Sequence, residues 1–110
     1  MLFVDAGVSV GASLTRPEER AMAILMTAKV PGMTQEMVDG MTERLMEQQK
    51  AQPGFVLHAN GPIDGGWGVT EVWEAQQNWD SWYEGTIKPN LPEGIEPRIT
   101  TRELHNVVQP

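Results

Sequence analysis

Residues 67–73 alternate between the two sides of a strand, and the same run leads directly into a helix. One side carries Trp67, Val69, Glu71 and Trp73, and the other carries Gly68, Thr70 and Val72. A period of two is typical of a strand with one buried face. After residue 75 the large apolar side chains recur three and four positions apart, which predicts a helix over residues 76–87 with a stripe formed by Trp79, Trp82, Tyr83 and Ile87. We expect the two aromatic faces to meet, either as ordinary core or as the wall of a small-molecule pocket.

The first part of the chain predicts one strand and one helix. An apolar run over residues 22–30 suits a central strand, and the following Pro31-Gly32 ends it. Thr34 is a good N-cap residue, because its hydroxyl can accept a hydrogen bond from the first helical turn. Apolar side chains spaced four apart then predict an amphipathic helix over residues 35–51, with a stripe of Met37, Met41 and Leu45.

Two further strands frame the aromatic run. Pro53-Gly54 ends the first helix, and residues 55–60 form the predicted second strand. Residues 61–66 are rich in glycine and predict a hairpin connection to the strand over residues 67–73. Residues 88–97 contain three prolines and predict a loop. Residues 98–108 alternate again and predict the last strand.

The predicted order is β-α-β-β-α-β, the split βαβ arrangement of ferredoxin-like α+β folds. Such a chain forms a four-stranded antiparallel sheet with both helices on one face. The opposite face then has no cover within the chain. Because an exposed apolar sheet face is unfavourable, we expect a homodimer in which two sheets meet face to face.

Composition narrows the class of protein. The chain has 110 residues, a formal charge of −7 and no cysteine. It predicts a single domain over residues 21–110, preceded by a tail or arm over residues 1–20. The negative charge argues against nucleic-acid binding. No apolar run approaches the roughly 20 residues of a membrane helix, and the N-terminus lacks the basic start of a signal peptide. We therefore expect a cytoplasmic protein without a membrane partner.

Two short motifs give the chain a family resemblance. Gln52-Pro53-Gly54-Phe55 enters the second strand, and Thr70-Glu71-Val72-Trp73-Glu74 leads into the aromatic helix. With the element order over residues 22–108, they make the chain similar to the antibiotic biosynthesis monooxygenase (ABM)-like dimeric α/β-barrel family. The resemblance implies a dimeric barrel with a pocket between sheet and helices. The family includes cofactor-free oxygenases of polyketides, haem-degrading enzymes and isomerase-like members.

The residues that carry activity in this family match the chain only in part. The polyketide oxygenases line their pocket with a tryptophan, an asparagine and a tyrosine; the tryptophan matches Trp73, whereas Val69 and Trp79 stand at the other two positions. A tryptophan that presses on haem in the haem degraders matches Trp82, but their axial histidine would fall near Pro92. Without that iron ligand, haem degradation is not expected.

Glu71 and His58 are the candidate catalytic residues. Glu71 shares its strand face with tryptophans, where desolvation could tune a carboxylate for proton transfer; alternatively it is an anchor of the sheet satisfied by hydrogen bonds. His58 and His105, on the second and last predicted strands, could each act as a general base near neutral pH or have only a surface or interface role. His58 is the better candidate, because Asn60 follows on the same face. Neither histidine has metal-ligand spacing, so no metal site is predicted.

The remaining candidates would bind a substrate. They are apolar or aromatic residues with one amide: Trp67, Val69, Trp73, Trp79, Trp82, Met37, Met41 and Asn60. The chain has no phosphate-binding glycine loop and no dinucleotide fingerprint, so no cofactor is predicted. We expect a small tailoring enzyme acting on a flat, largely apolar polyketide-like or aromatic metabolite. Its reaction would be cofactor-free monooxygenation or a proton-shuttled cyclisation or isomerisation; the alternative is a non-catalytic dimeric ligand-binding or scaffold protein.

Overall fold

The computed structural model describes residues 22–110, so the predicted tail or arm over residues 1–20 lies outside the described residues. Four strands and two principal helices follow in the predicted order. The strands are β1 (Ile24–Pro31), β2 (Phe55–Ile63), β3 (Gly66–Trp73) and β4 (Arg98–Glu103), and the helices are α1 (Gln35–Lys50) and α2, which begins as Gln76–Trp82. The predicted α+β, ferredoxin-like fold is confirmed.

The sheet has the order β2-β3-β1-β4, with every neighbouring pair antiparallel. Ile24 lies opposite Trp73 and Met26 lies opposite Glu71 across β1 and β3. Because side chains alternate along a strand, this register places the buried residues of β1 and the predicted face of β3 on the same side of the sheet.

Both helices pack on that side. The core joins the inward residues of β1 and β3 to Leu45 of α1 and two tryptophans of α2, and comprises Ile24, Met26, Ala28, Val30, Leu45, Trp73, Trp79 and Trp82. Trp73 has no exposed surface, and the ring of Phe55 meets it edge-on at 5.4 Å. Burial of such large aromatic side chains supplies much of the hydrophobic stabilisation of a domain of this size.

Helix α1 starts where the sequence predicts. The backbone N–H of Met37 donates to the Thr34 hydroxyl at 3.3 Å, which satisfies one of the free donors of the first turn. Near its other end, Leu45 and Gln49 are buried against the sheet. Since these residues are four apart, they lie on one stripe of the helix.

Helix α2 is longer than predicted. After Trp82 it widens into a π-helical segment, Tyr83–Ile87, and ends with a last α-turn, Lys88–Asn90. Pro89 was expected to exclude helix, because it lacks a backbone N–H. The helix nevertheless continues through it, and the side-chain amide of Asn90 donates to the Thr86 carbonyl oxygen at 2.7 Å. The loop predicted to begin at residue 88 therefore begins after residue 90.

Two strand boundaries also differ from the prediction. Strand β2 continues to Ile63, so only Asp64 and Gly65 connect it to β3; Gly65 has φ +76°, which glycine adopts without steric cost. Strand β4 ends at Glu103 rather than residue 108. Its partner strand β1 begins at Ile24, opposite Glu103, so within residues 22–110 no strand lies beside residues 104–108.

The reverse side of the sheet is only partly covered among the described residues. It presents apolar side chains from β1, β2 and β3, of which Leu57 is 46 % exposed and Ile63 is 41 % exposed. Within residues 22–110, no helix is both long and apolar enough to cross a membrane.

Candidate functional site

A cavity of about 120 Å³ lies between the helix-covered face of the sheet, α1 and the end of α2. Its wall is mainly apolar, with Met41 and Leu45 from α1 and Trp82 and Ile87 from α2. A group of polar side chains lines the sheet side and the adjoining part of α1: Thr42, Gln49, His58, Asn60 and Glu71. An apolar cavity with a few convergent polar groups is the usual form of a small-molecule site.

Glu71 is the buried carboxylate of this wall, and Gln49 is buried beside it. Only 4 % of the surface of Glu71 is exposed, and its carboxylate oxygens have three hydrogen-bonding partners, which are nitrogen atoms of Gln49, His58 and Trp73. The Oε2 atom accepts from Gln49 Nε2 at 2.7 Å and lies 2.6 Å from His58 Nδ1, and Oε1 accepts from Trp73 Nε1 at 2.8 Å. Three donors offset the unfavourable desolvation of a buried carboxylate.

Three elements bring these groups together. The register of β2 and β3 puts His58 directly opposite Glu71, and cross-strand neighbours lie close enough for their side chains to bond. Gln49 reaches the carboxylate from the buried stripe of α1. Trp73 follows Glu71 by two positions on the same face of β3.

The hydrogen bonds continue from His58 to the cavity mouth. Its second ring nitrogen, Nε2, lies 2.8 Å from the Asn60 side-chain amide nitrogen, and Asn60 Oδ1 accepts from Trp67 Nε1 at 2.8 Å. Asn60 is exposed, whereas 18 % of the His58 side chain and 6 % of the Glu71 side chain are exposed. A single chain of bonds therefore runs from the surface at Trp67 to the buried carboxylate.

A second, smaller cavity of about 70 Å³ lies beside the first. Trp79, Tyr83 and Ile99 line it, and it shares Val69, Glu71 and Trp82 with the larger cavity. The Tyr83 ring stacks on Trp79 with a centroid distance of 5.1 Å and an interplanar angle of 15°. Burial raises the pKa of the Tyr83 phenol, because the charged form is poorly solvated there.

Most of the residues predicted to form a site border the larger cavity. These are Glu71, His58, Trp67, Val69, Trp82, Met41 and Asn60. Strand alternation predicted that Trp67, Val69 and Glu71 share one face of their strand and that His58 and Asn60 share one face of theirs, but the contact between Glu71 and His58 was not predicted.

Three predicted residues lie elsewhere. Trp73 borders neither cavity, since Phe55 covers its ring and its indole N–H is used by Glu71. Trp79 lines the second cavity instead, and Met37 borders neither. Periodicity identifies the buried face of a helix but not where along it a cavity begins. His105 is exposed beyond β4 and is absent from both walls.

Sequence reasoning missed Gln49, Thr42 and Tyr83. Gln49 had a usable signal, because it is a polar residue four positions after Leu45 on the apolar stripe of α1. A buried polar side chain needs a partner, so its position predicted a polar contact with the sheet. Tyr83 also had a signal, because periodicity placed it on the aromatic stripe of the second helix with Trp79 and Trp82, whereas Thr42 had none.

Comparison with known proteins adds little to this geometry. No protein-family model matches the chain, and no curated protein matches it. Among solved structures, the chain is similar to a haem-degrading protein from Mycobacterium tuberculosis, crystallised free of haem, with a TM-score of 0.49 and 17 % sequence identity. The similarity covers 82 % of this chain and 99 % of that one. A likeness this distant carries no argument about the activity of this chain.

The cavity does not fit a haem group. Its volume of about 120 Å³ is close to that of a cavity that encloses a single benzene ring, which is about 150 Å³. A porphyrin is several times larger than a benzene ring, so the cavity cannot enclose it, and we derive no chemistry through haem. Within residues 22–110, no cluster of three potential metal-binding side chains occurs.

Proposed function

We propose that this domain binds a small, largely apolar ring compound in the larger cavity and moves a proton on it, in an isomerisation or cyclisation. The observation that carries the proposal is the 2.6 Å contact between His58 Nδ1 and Glu71 Oε2 on the wall of an apolar cavity. A histidine oriented by a carboxylate is a common arrangement for general acid–base catalysis.

The size of the cavity sets the size of the enclosed group. A volume of about 120 Å³ suits one ring, because an engineered apolar cavity of about 150 Å³ in another protein encloses benzene. A larger, polyketide-like molecule would extend past Asn60 and Thr42, which line the cavity and are exposed. The enclosed ring would contact Met41, Leu45 and Trp82.

His58 is the proton carrier in this proposal, since its side chain is more exposed than that of Glu71. With a ring ketone that carries a C=C bond at its β,γ position, a bound substrate would displace the Asn60 amide, and the Nε2 lone pair would remove the α proton, so that the C–H electron pair passes into a dienolate. Glu71 would stabilise the resulting imidazolium. Return of the proton to the γ-carbon would move the double bond into conjugation and restore the carbonyl and the neutral imidazole. The hydroxyl of Thr42 and the remaining amide N–H of Asn60 are available donors for the enolate oxygen.

Cofactor-free oxygenation, the other reaction that the family resemblance implies, also begins with removal of an acidic proton. No described residue of the cavity favours the later step with dioxygen. The proton-transfer reaction is therefore the better supported of the two.

Ligand binding tests the proposal with two matched variants. Met41 lines the cavity and Met37, one turn earlier on α1, does not. Tryptophan fluorescence should report binding of single-ring ketones and phenols, because Trp67 and Trp82 border the cavity. Met41→Trp should fill the space and weaken binding about tenfold or more, whereas Met37→Trp should bind as the wild type does. No binding by any member of the panel would favour the non-catalytic scaffold.

We also propose that a second copy of the chain covers the reverse side of the sheet. The half-exposed apolar residues Leu57 and Ile63 support this, because both lie on the reverse face of β2, and large apolar side chains exposed on a sheet face are commonly covered by a partner. Leu57→Asp should shift the protein to monomer in sedimentation equilibrium, whereas Gln77→Asp, at an exposed position of α2, should not. A wild-type monomer at high concentration would contradict the dimer.

A further inference from the structure

We propose that Trp67 and Asn60 are positioning residues that keep the Nε2 atom of His58 free of a proton and available as a base. The inference rests on the proposed function, because it describes how the same site is prepared for proton transfer. It follows from the donor-to-acceptor direction of five connected hydrogen bonds. That direction is fixed at the surface end by the Trp67 indole and at the buried end by the Glu71 carboxylate.

At the surface end, the indole of Trp67 fixes the direction of the hydrogen bonds. Trp67 Nε1–H can only donate, so the Asn60 atom that faces it at 2.8 Å must be the carbonyl oxygen. The amide nitrogen of Asn60 then faces His58 Nε2, also at 2.8 Å. Since that amide nitrogen can only donate, Nε2 must accept and carries no proton.

The buried end of the chain agrees. Glu71 Oε2 already accepts from Gln49 at 2.7 Å, and Oε1 accepts from Trp73 at 2.8 Å, which is the pattern of a carboxylate that only accepts. The 2.6 Å contact with His58 Nδ1 is therefore a bond from Nδ1–H to Glu71. Every donor in this series of hydrogen bonds meets one acceptor when His58 has its proton on Nδ1 alone.

The sheet holds the surface end in place. Asn60 lies opposite Val69 and Trp67 lies opposite Pro62, so Asn60 and Trp67 are diagonal neighbours on one face of β2 and β3. A protonated Nε2 would face the amide N–H of Asn60. Turning that amide would relieve the clash, but it would also point the amide nitrogen at the indole N–H of Trp67.

This arrangement has a consequence for the reaction. Asn60 and Trp67 together oppose a proton on Nε2, because the Asn60 amide N–H faces that atom and the Trp67 indole N–H fixes the orientation of the amide. A ligand can displace the amide of Asn60, which is exposed, and would then meet a bare lone pair.

Nitrogen-15 NMR of the His58 ring tests the inference without any ligand. In the wild type near neutral pH, Nδ1 should show the shift of a protonated nitrogen and Nε2 that of an unprotonated one. Asn60→Asp would place a carboxylate against Nε2 and should raise its ratio of protonated to unprotonated forms about tenfold or more. Trp67→Phe frees the Asn60 amide to turn and should raise the same ratio about two- to tenfold, the equivalent of one neutral hydrogen bond.

Trp82→Phe is the matched control. It also removes an indole N–H at the cavity, but that N–H has no hydrogen-bond partner among residues 22–110, so the His58 signals should not change. A protonated Nε2 in the wild type, or unchanged His58 signals in both the Asn60→Asp and Trp67→Phe variants, would overturn the inference. Because this measurement requires no ligand, it can fail while ligand binding and turnover succeed, and the reverse also holds.

Discussion

Replacement of Glu71 by glutamine should destabilise the domain strongly, although the two side chains have nearly the same shape. The carboxylate accepts hydrogen bonds from Gln49, His58 and Trp73, and only 4 % of its surface is exposed. Glutamine offers one acceptor oxygen and one donor nitrogen. At least one of the three donors would therefore face another donor in a buried site.

The magnitude follows from these contacts. A hydrogen bond to a charged group contributes about 1.5–3 kcal/mol and one between neutral groups about 0.5–1.5 kcal/mol, so each of the two bonds that the glutamine oxygen still accepts weakens by about 1 kcal/mol. A buried donor without an acceptor costs about 1–3 kcal/mol more, unless Gln49 or His58 turns to relieve it. We expect Glu71→Gln to lower the free energy of unfolding by about 3–5 kcal/mol, a large part of the 5–15 kcal/mol typical of a domain.

Urea denaturation near neutral pH measures this loss. The slope of the unfolding free energy against urea concentration should be the same for the wild type and the variant, which shows that both unfold in the same way. The matched control is Glu84→Gln, whose carboxylate pairs with Lys88 at 3.5 Å and whose side chain is 65 % exposed. A pair that exposed contributes little, so the control should lose less than about 0.5 kcal/mol. If Glu71→Gln lost less than about 1 kcal/mol, the three bonds would not anchor the carboxylate as we describe.

Two further predictions concern backbone space and alkaline pH. Gly66→Ala should destabilise the domain by about 2 kcal/mol or more, because the added Cβ would collide with the Val30 carbonyl oxygen and lie 2.9 Å from Pro31 Cα. In Gly61→Ala the added Cβ meets nothing within 4 Å among residues 22–110, so this variant should be near neutral when both are measured by urea denaturation. Burial raises the pKa of Tyr83, the chain's one tyrosine, so its tyrosinate absorbance should appear above the usual pH of about 10 in the folded protein and return to about 10 in urea. The neutral phenol of Tyr83 therefore contributes stability that is fully present below pH 10 and is lost as the pH rises through the pKa of the folded state. Tyr83→Phe should remove this loss of stability at alkaline pH. A tyrosinate midpoint at or below pH 10 in the folded protein would contradict the prediction.

The fold could be predicted because its main signals are local. Period-two alternation identified β3 and the side on which Glu71 lies, and a capping threonine with a four-residue apolar spacing identified α1. The boundaries that failed depend on other parts of the chain. Strand β4 is short because its partner β1 begins at Ile24, a fact of pairing that the alternation of residues 98–108 does not contain.

The candidate site was predicted as a set of residues but not as a geometry. Glu71 and His58 were recognised separately, from their residue types and their strand faces. Their contact depends on the register of β2 against β3, and Gln49 reaches them from a helix 22 positions earlier than Glu71. Similarly, Trp67 and Asn60 had been expected only to bind substrate, whereas the register links them to His58. Register of this kind follows from packing of the whole sheet.

Deuterium uptake by a single-ring ketone tests the central claim most directly, because it measures proton transfer at carbon without knowledge of the natural substrate. Acetophenone and cyclohexanone in heavy water, followed by proton NMR, should exchange the protons next to their carbonyl faster with the wild-type protein than in buffer. His58→Ala and Met41→Trp should abolish the acceleration, and Met37→Trp should retain it. Exchange that is equal in the wild type and in His58→Ala would contradict a proton-transferring site at Glu71 and His58.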